Sequence, residues 1–319
     1  MAYTGTGDVS SDTAAFQQLA YFAFRSQPMY EMIADVRSTA QTHNGASVQF
    51  NIYDNMAQAT SALTEASDVT AVALGDSTVV VTLAEYGNAV ITTAKLRGTS
   101  FLNVDADAAN IIGYNMVDSV DKLVSNVANA GTNVIYAQGS AGSRPASRVA
   151  VSDANTFGAQ EGRQTVAELR GDSAPGWENG NYMAIIHPDV SYDLRGETAV
   201  TDVIQYQLYQ EGAPIRAGSI GTFNGINYIE NPRAPILDDA GATGTTNVYQ
   251  TIVCGRQALA KAFSRAPGFG EQPSIVFGPV TDTLRRFNPV GWYHLAGWGI
   301  FRQECLRRIE SSSSIGDNT

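Results

Sequence analysis

The residues able to do chemistry are few, and their spacing does not suit catalysis. The three histidines, His43, His187 and His294, lie more than a hundred residues apart. None belongs to a pair four apart on a helix, the pattern that would hold a metal. Cys254 and Cys305 are too few for a disulfide framework and too distant for a zinc pair, so two buried free thiols are expected. No phosphate loop, dinucleotide fingerprint or nucleophile elbow is present. The nearest approach, Gly218-Ser219-Ile220-Gly221, has its glycines at the wrong offsets. The sequence therefore predicts no catalytic, cofactor-binding or metal-binding residue and no cofactor.

His187 is the best remaining catalytic candidate. It follows the apolar run Tyr182–Ile186 and precedes Asp189, Ser191 and Asp193, where open-sheet enzymes place functional groups. A His-Pro step at a strand end equally caps the next helix or satisfies a backbone carbonyl. Because no nucleophile accompanies it, a hydrolase is the weaker reading. Arg285-Arg286 and Arg307-Arg308 could touch phosphates, but paired arginines more often form a solvated or salt-bridged face. Pairing of Arg285 and Arg286 with an acidic surface of another subunit is the expectation.

The chain has 319 residues, 44% of them hydrophobic, enough for a substantial core. Only 16% are charged, against about 25% in soluble domains. That suits a protein whose faces are covered by its own copies. The net charge of −11 divides as −5, −6 and 0 over residues 1–100, 101–200 and 201–319. Tight nucleic-acid binding calls for a basic patch, so the balance argues against it. No stretch approaches the roughly 20 apolar residues of a membrane span. The start lacks the order of a signal peptide, and a cytosolic product not bound to membrane is expected.

Residues 1–44 are polar with apolar anchors, Phe16 and Phe22 among them, and suggest short helices near 12–24 and 28–38. From Gly45 the period becomes two: 48–52, 78–83 and 89–93 are expected strands of a long hairpin. The segment between its arms is too poor in large side chains to build a core. Its few, Leu63, Val69, Val72 and Leu74, beside Glu65, must fold back or meet another subunit. A long helix is expected over 104–130, with Ile112, Met116, Val120, Leu123 and Val127 as its core stripe. Asn103 can cap its start and Gly131 can end it. Further helices are expected at 153–170 and 201–209. Strands are expected at 182–186, 225–230, 248–253, 275–277 and 292–306, with a loose tail from Ser311.

These segments, in this order, resemble the major capsid proteins of tailed bacteriophages, in the coat family typified by phage N-four. LTEASDVTAVALGDSTVVVTLAEYGNAVITTAKL is similar to the family's extended hairpin, with its Leu-Thr-Glu step and Tyr-Gly turn. NYMAIIHPDVSYDLRGETA resembles its strand followed by His-Pro-Asp and a Tyr-Asp-Leu-Arg turn. GSIGTFNGINYIENPRA and VYQTIVCGRQALAKA are similar to two later patterns, so the likeness covers nearly the whole chain. Ala66 and Asn227 depart from the glycine and arginine common at those places.

The resemblance implies an α+β, Hong-Kong-ninety-seven-like capsid fold. Its parts would be an N-terminal arm (1–44), an extended loop (45–97), a peripheral domain with a long spine helix (98–150 and 274–319) and an axial domain (151–273). It implies pentamers and hexamers in an icosahedral head enclosing double-stranded DNA without specific binding, assembled in the host bacterial cytoplasm. With about forty residues before the hairpin, a separate scaffolding protein is expected, beside a portal and possible decoration protein. An encapsulin-type nanocompartment shell is the alternative, and a secreted β-rich adhesin fits less well. Some related shells cross-link lysine to asparagine at the extended loop. Lys95, Lys122 and Lys261 all lie outside residues 45–94, so that reaction lacks its amine here.

Overall fold

The computed structural model describes residues 29–36, 45–63, 65–100, 104–196, 219–265, 270–277, 282–284 and 286–315. The first expected helix (12–24), the one at 201–209, Phe16, Phe22, Arg285 and His43 lie outside them.

Fourteen strands and four α-helices are described. The strands are β1 (Ala34–Val36), β2 (Ser47–Tyr53), β3 (Asp76–Thr82), β4 (Ala84–Thr93), β5 (Val134–Tyr136), β6 (Tyr182–Ile186), β7 (Ser219–Phe223), β8 (Ile226–Glu230), β9 (Ile236–Leu237), β10 (Val248–Cys254), β11 (Leu259–Phe263), β12 (Ser274–Phe277), β13 (Phe287–Ile300) and β14 (Leu306–Ser311). The helices are α1 (Ala94–Thr99), α2 (Val104–Asn129), α3 (Ala159–Gly171) and α4 (Pro188–Gly196).

The 26 residues of α2 make a rod about 39 Å long at 1.5 Å per residue. Asp105 and Asp107 in its first turn suit the positive end of the helix dipole. Its buried face is Ala108, Ile112, Val120, Asp121, Val124, Ser125 and Ala128. Of the expected stripe, Ile112 and Val120 are buried, whereas Met116, Leu123 and Val127 are only half-buried. The face is rotated because Asp121 and Ser125 turn inward, and the backbone N–H of Tyr30 donates to Asp121 Oδ1 at 2.6 Å. A hydrophobic count cannot see a polar residue that is buried to satisfy a neighbouring segment. At the other end Gly131 leaves room for β14: a Cβ there would lie 2.8 Å from Leu306 Cδ2.

Two sheets share the core. The larger runs β5-β14-β10-β6-β8-β7, with β9 on the edge of β10. All seven residues of β10 are buried, as expected of a strand covered on both faces. The smaller runs β1-β11-β13-β12, and β4 lies along β13 from Phe287↔Thr93 to Ala296↔Ala84. A third, two-stranded ribbon of β2 and β3 leaves the body. One apolar cluster joins α2, α3, α4 and the larger sheet to Leu259, Phe263, Ala296 and Trp298 of the smaller.

Several expectations change. Residues 30–33 form one 3-10 turn and 34–36 a strand parallel to β11, not a helix over 28–38, because that edge of β11 supplies the hydrogen-bonding partners. The second helix begins only at Ala159, since Asn155 bonds the carbonyls of Ala137 and Gln138 (both 3.1 Å) in a loop. Glu161 then closes the helix start by accepting from Gly158 N (3.0 Å). The expected strand 292–306 is two strands: the chain turns at 301–305, and β14 crosses to the larger sheet. Sheet membership therefore does not follow a division at 273/274, because β11 pairs with β13 and β14 with β10. The serine run is not loose. Ser311, Ser312 and Ser313 are buried, and Ser312 N donates to Asn155 O at 3.0 Å.

Glu310, with a fully buried side chain, locks β14 in place. Arg148 grips its two oxygens at 2.8 and 2.5 Å, Gln250 Nε2 donates at 3.2 Å, and Arg308 Nε lies 2.9 Å away. Arg308 also donates to the carbonyls of Asn129 and Gly131, tying the C-terminus of α2 to β14. Burial pushes the Glu310 carboxyl up, but Arg148, Arg308 and Gln250 outweigh it and hold it below its ordinary value of 4.5. A carboxylate lowered on folding stabilises fully above that value, and the contribution is lost as pH falls through the folded value. Glu310→Ala, which strands two arginines, is expected to cost about 3–5 kcal/mol in denaturant titrations at neutral pH. Glu310→Gln should flatten the loss of stability below the ordinary carboxylate pKa; an acid limb as steep as the parent's would refute the assignment.

Candidate assembly surfaces

The ribbon is anchored at its root and bare at its tip. Its strands pair from Ser47↔Thr82 to Tyr53↔Asp76, and Asp54 N donates to Gly75 O at 3.0 Å. At the root, Val48 and Val81 pack on Ala262 of β11. Phe50 meets Phe301 edge-on at 6.1 Å. The root can cross β13 only because Gly297 and Gly299 lie beneath it: a Cβ would lie 2.2 Å from Thr82 O at the first and 3.0 Å from Val81 at the second. Beyond Asp54 no strand forms among the described residues until Asp76. Met56, Leu63, Val69, Val72 and Leu74 all face solvent, Leu63 at 77%. Glu65 is exposed beside them. Residues 45–94 hold Asp54, Glu65, Asp68, Asp76 and Glu85 and no lysine or arginine, so this apolar tip is also acidic.

A second surface lies on the smaller sheet. Ile275, Val276 and Phe277 of β12 are exposed, as are Leu284 and the partly covered Phe287. Arg286 stands over the Phe287 ring at 5.4 Å and pairs with Asp282 at 2.7 Å. In the sequence β12 resembles an ordinary strand, and nothing marks the ribbon-root glycines beyond their spacing. The Gly-Trp-Gly spacing over 297–299 was the available signal.

The histidine candidate is placed structurally. His187 is buried, and its Nδ1 accepts from Asp189 N at 3.2 Å, with Asp189 Oδ2 3.3 Å away. Tyr249 donates to that same carboxylate at 2.9 Å. Burial lowers the His187 pKa, against the opposing pull of Asp189 and a backbone bond to Pro232. The ring therefore caps the start of α4. Asp193 is engaged with Ser314, and Ser191 with Glu230 and the carbonyl of Pro188. Both cysteines are free and buried; burial raises the Cys254 thiol to about 12, out of reach as a nucleophile at neutral pH. Among the described residues no group of histidine, cysteine or acidic side chains could hold a metal. Among them too, no helix is long and apolar enough to cross a membrane.

A body built from two sheets and a long helix, projecting an apolar ribbon that its own core leaves bare, has the form of a shell-forming structural protein. The chain belongs to the phage capsid protein family, whose model matches residues 6–306. It is a major capsid protein of a phage head, with the Hong-Kong-ninety-seven-like α+β fold. Its fold is that of the capsid of Ralstonia phage GP4 (TM-score 0.75, 14% identity, 100% of this chain and 99% of that one). The capsid of cyanophage P-SCSP1u is similar (TM-score 0.72, 19% identity, 98% and 96%). So is that of cyanophage Pam1 (TM-score 0.73, 14% identity, 96% and 97%). No curated protein matches the chain. The family match favours a phage head over a nanocompartment shell.

Proposed function

We propose that this subunit forms the pentamers and hexamers of an icosahedral head that encloses the double-stranded DNA of a tailed phage. The observation that supports this most directly is the ribbon tip, with large apolar side chains exposed and no core of its own. In a shell, Leu63, Val69, Val72, Leu74 and Glu65 lie against a neighbouring copy, whose Arg285 and Arg286 supply the opposite charge. Phe16 and Phe22 anchor the N-terminal arm on another subunit. Different patches of each copy meet, as contacts that close into rings require.

The division into arm (1–44), loop (45–97), peripheral domain (98–150 with the strands after 274) and axial domain (151–273) is kept, with three exchanges. The β11 strand joins the peripheral part, and β14 with its neighbour β5 joins the axial part. The head acts without catalysis or cofactor and holds its DNA without specific binding, in keeping with the negative charge. A separate scaffolding protein, a portal and a decoration protein are its proposed partners, and the host bacterial cytoplasm its place of assembly. Sedimentation of the expressed chain, alone or with its scaffold, tests the reading. Capsomers or megadalton shells are expected; a monodisperse monomer under assembly-permissive salt and concentration contradicts it.

A further inference from the structure

The six methionines of the chain differ in their access to solvent. Met29, Met116 and Met183 are half-buried, and Met1 lies outside the described residues. Met183, in β6, packs against the main apolar cluster. Met32 is 49% exposed and Met56 56%. These two stand in different settings. Met32 belongs to the 3-10 turn before β1, between the buried Tyr30 and Ile33. Met56 lies on the ribbon tip, beyond the last strand pair, Tyr53↔Asp76, and the closing bond from Asp54 N to Gly75 O. It shares that stretch with Leu63, Val69, Val72 and Leu74, all exposed. An unbranched thioether is suited to filling irregular apolar contacts, yet more than half of this one faces water.

We propose that Met56 is a peroxide-sensitive modification site: oxidation of its thioether to the sulfoxide leaves the subunit folded and disfavours its entry into the shell. The inference rests on the reading that a neighbouring copy covers the ribbon tip. In the reaction the Sδ lone pair attacks one oxygen of hydrogen peroxide, so that an S–O bond forms and the O–O bond breaks. The transferred hydroxyl passes its proton, through solvent, to the departing hydroxide, which leaves as water. Sulfur loses two electrons and the peroxide gains them, so no further reactant is needed.

The product carries a polar oxygen on a side chain that was apolar. In the free subunit that oxygen meets water, and the anchored ribbon root, Val48 and Val81 on Ala262, is untouched. At a contact made by Leu63, Val69, Val72 and Leu74 the oxygen gives up its water, and none of those side chains has a donor to replace it. Burying a polar group unpaired is unfavourable. The penalty recurs at every copy in the shell, so a change at one sulfur acts on the whole assembly. Met32, outside the ribbon, supplies an exposed thioether for comparison.

The test treats the full-length chain with dilute hydrogen peroxide, as free subunit and as assembled particles, and follows each methionine by peptide mass spectrometry. In the free subunit Met56 and Met32 should oxidise on the order of tenfold faster than Met116 and Met183. In particles Met56 should slow by a similar factor. The oxidised subunit should melt close to the parent's temperature yet need about tenfold more protein to assemble, the effect of an unpaired polar group at a contact. Reduction by the two methionine sulfoxide reductases, one for each sulfur epimer, should restore assembly. Met56→Leu, treated in the same way and oxidised at Met32, should assemble like untreated protein. Met56 reacting no faster than Met116 and Met183, equal rates in subunit and particle, or a Met56→Leu chain inhibited as strongly as the parent overturns the inference. Shells that form as readily from oxidised as from untreated chain overturn it too and leave the shell-forming reading intact, whereas an untreated chain that builds no shells overturns both.

Discussion

Replacing Asp54–Gly75 with Asn-Gly should give a subunit that folds and fails to build stable shells. Tyr53 and Asp76 already face each other across the ribbon, so the two-residue turn joins strands in their native register. The anchored root is untouched: Val48, Val81 and Ala262 still pack together, and Phe50 still meets Phe301. The deleted stretch carries Met56, Leu63, Val69, Val72 and Leu74, all exposed, so the subunit loses little of its own core. Burial of each such side chain at an interface is worth about 1.5–3 kcal/mol, and the loss recurs at every copy. Thermal unfolding close to the parent's, with no shells in negative stain, is the expected pair of results. Normal shells would refute the role between subunits, and insoluble protein would assign the ribbon to the subunit's own fold.

Val120→Asp is expected to fail at the other level, that of the subunit. Val120 is 2% exposed and packs in the main cluster with Val124 and Ala128. Its chain neighbour Asp121 already places one buried carboxylate at this point of α2. A second, unpaired carboxylate costs several kcal/mol, against a total domain stability of about 5–15 kcal/mol. The variant should lose its cooperative unfolding transition and accumulate as insoluble protein. Val120→Ala, which removes methyl groups without adding charge, should keep the fold with a lower melting temperature. A soluble Val120→Asp subunit with parental circular dichroism would show that this face of α2 is not core.

Together these variants separate what the amino-acid pattern makes legible from what only the packing reveals. The long helix, the ribbon strands and the buried strand before His187 follow from local periodicity, because each buries one face or is buried on both. The exposed tip was legible for the same reason, as a stretch with too few large side chains to fold alone. The buried polar groups were not. Asp121, Lys261, Glu310 and Arg308 look like surface residues in the sequence, and their burial depends on partners between 2 and 230 positions away. The crossing of β14 into the larger sheet was hidden likewise, because Trp292–Leu306 is strand-like throughout and the turn at 301–305 carries neither glycine nor proline. The serines after it read as a tail, yet they are held by Asn155 and Asp193. The seat of the ribbon depends on Gly297 and Gly299, whose contribution is the absence of a side chain.

The most direct test of the whole account is a reconstruction, at side-chain resolution, of particles assembled from the full-length chain. A closed icosahedral shell is expected, in which Leu63, Val69, Val72 and Leu74 are covered by a neighbouring copy and Glu65 faces Arg285 and Arg286 of that copy. A shell whose ribbon tips remain in solvent, or lie back on their own subunit, would contradict it.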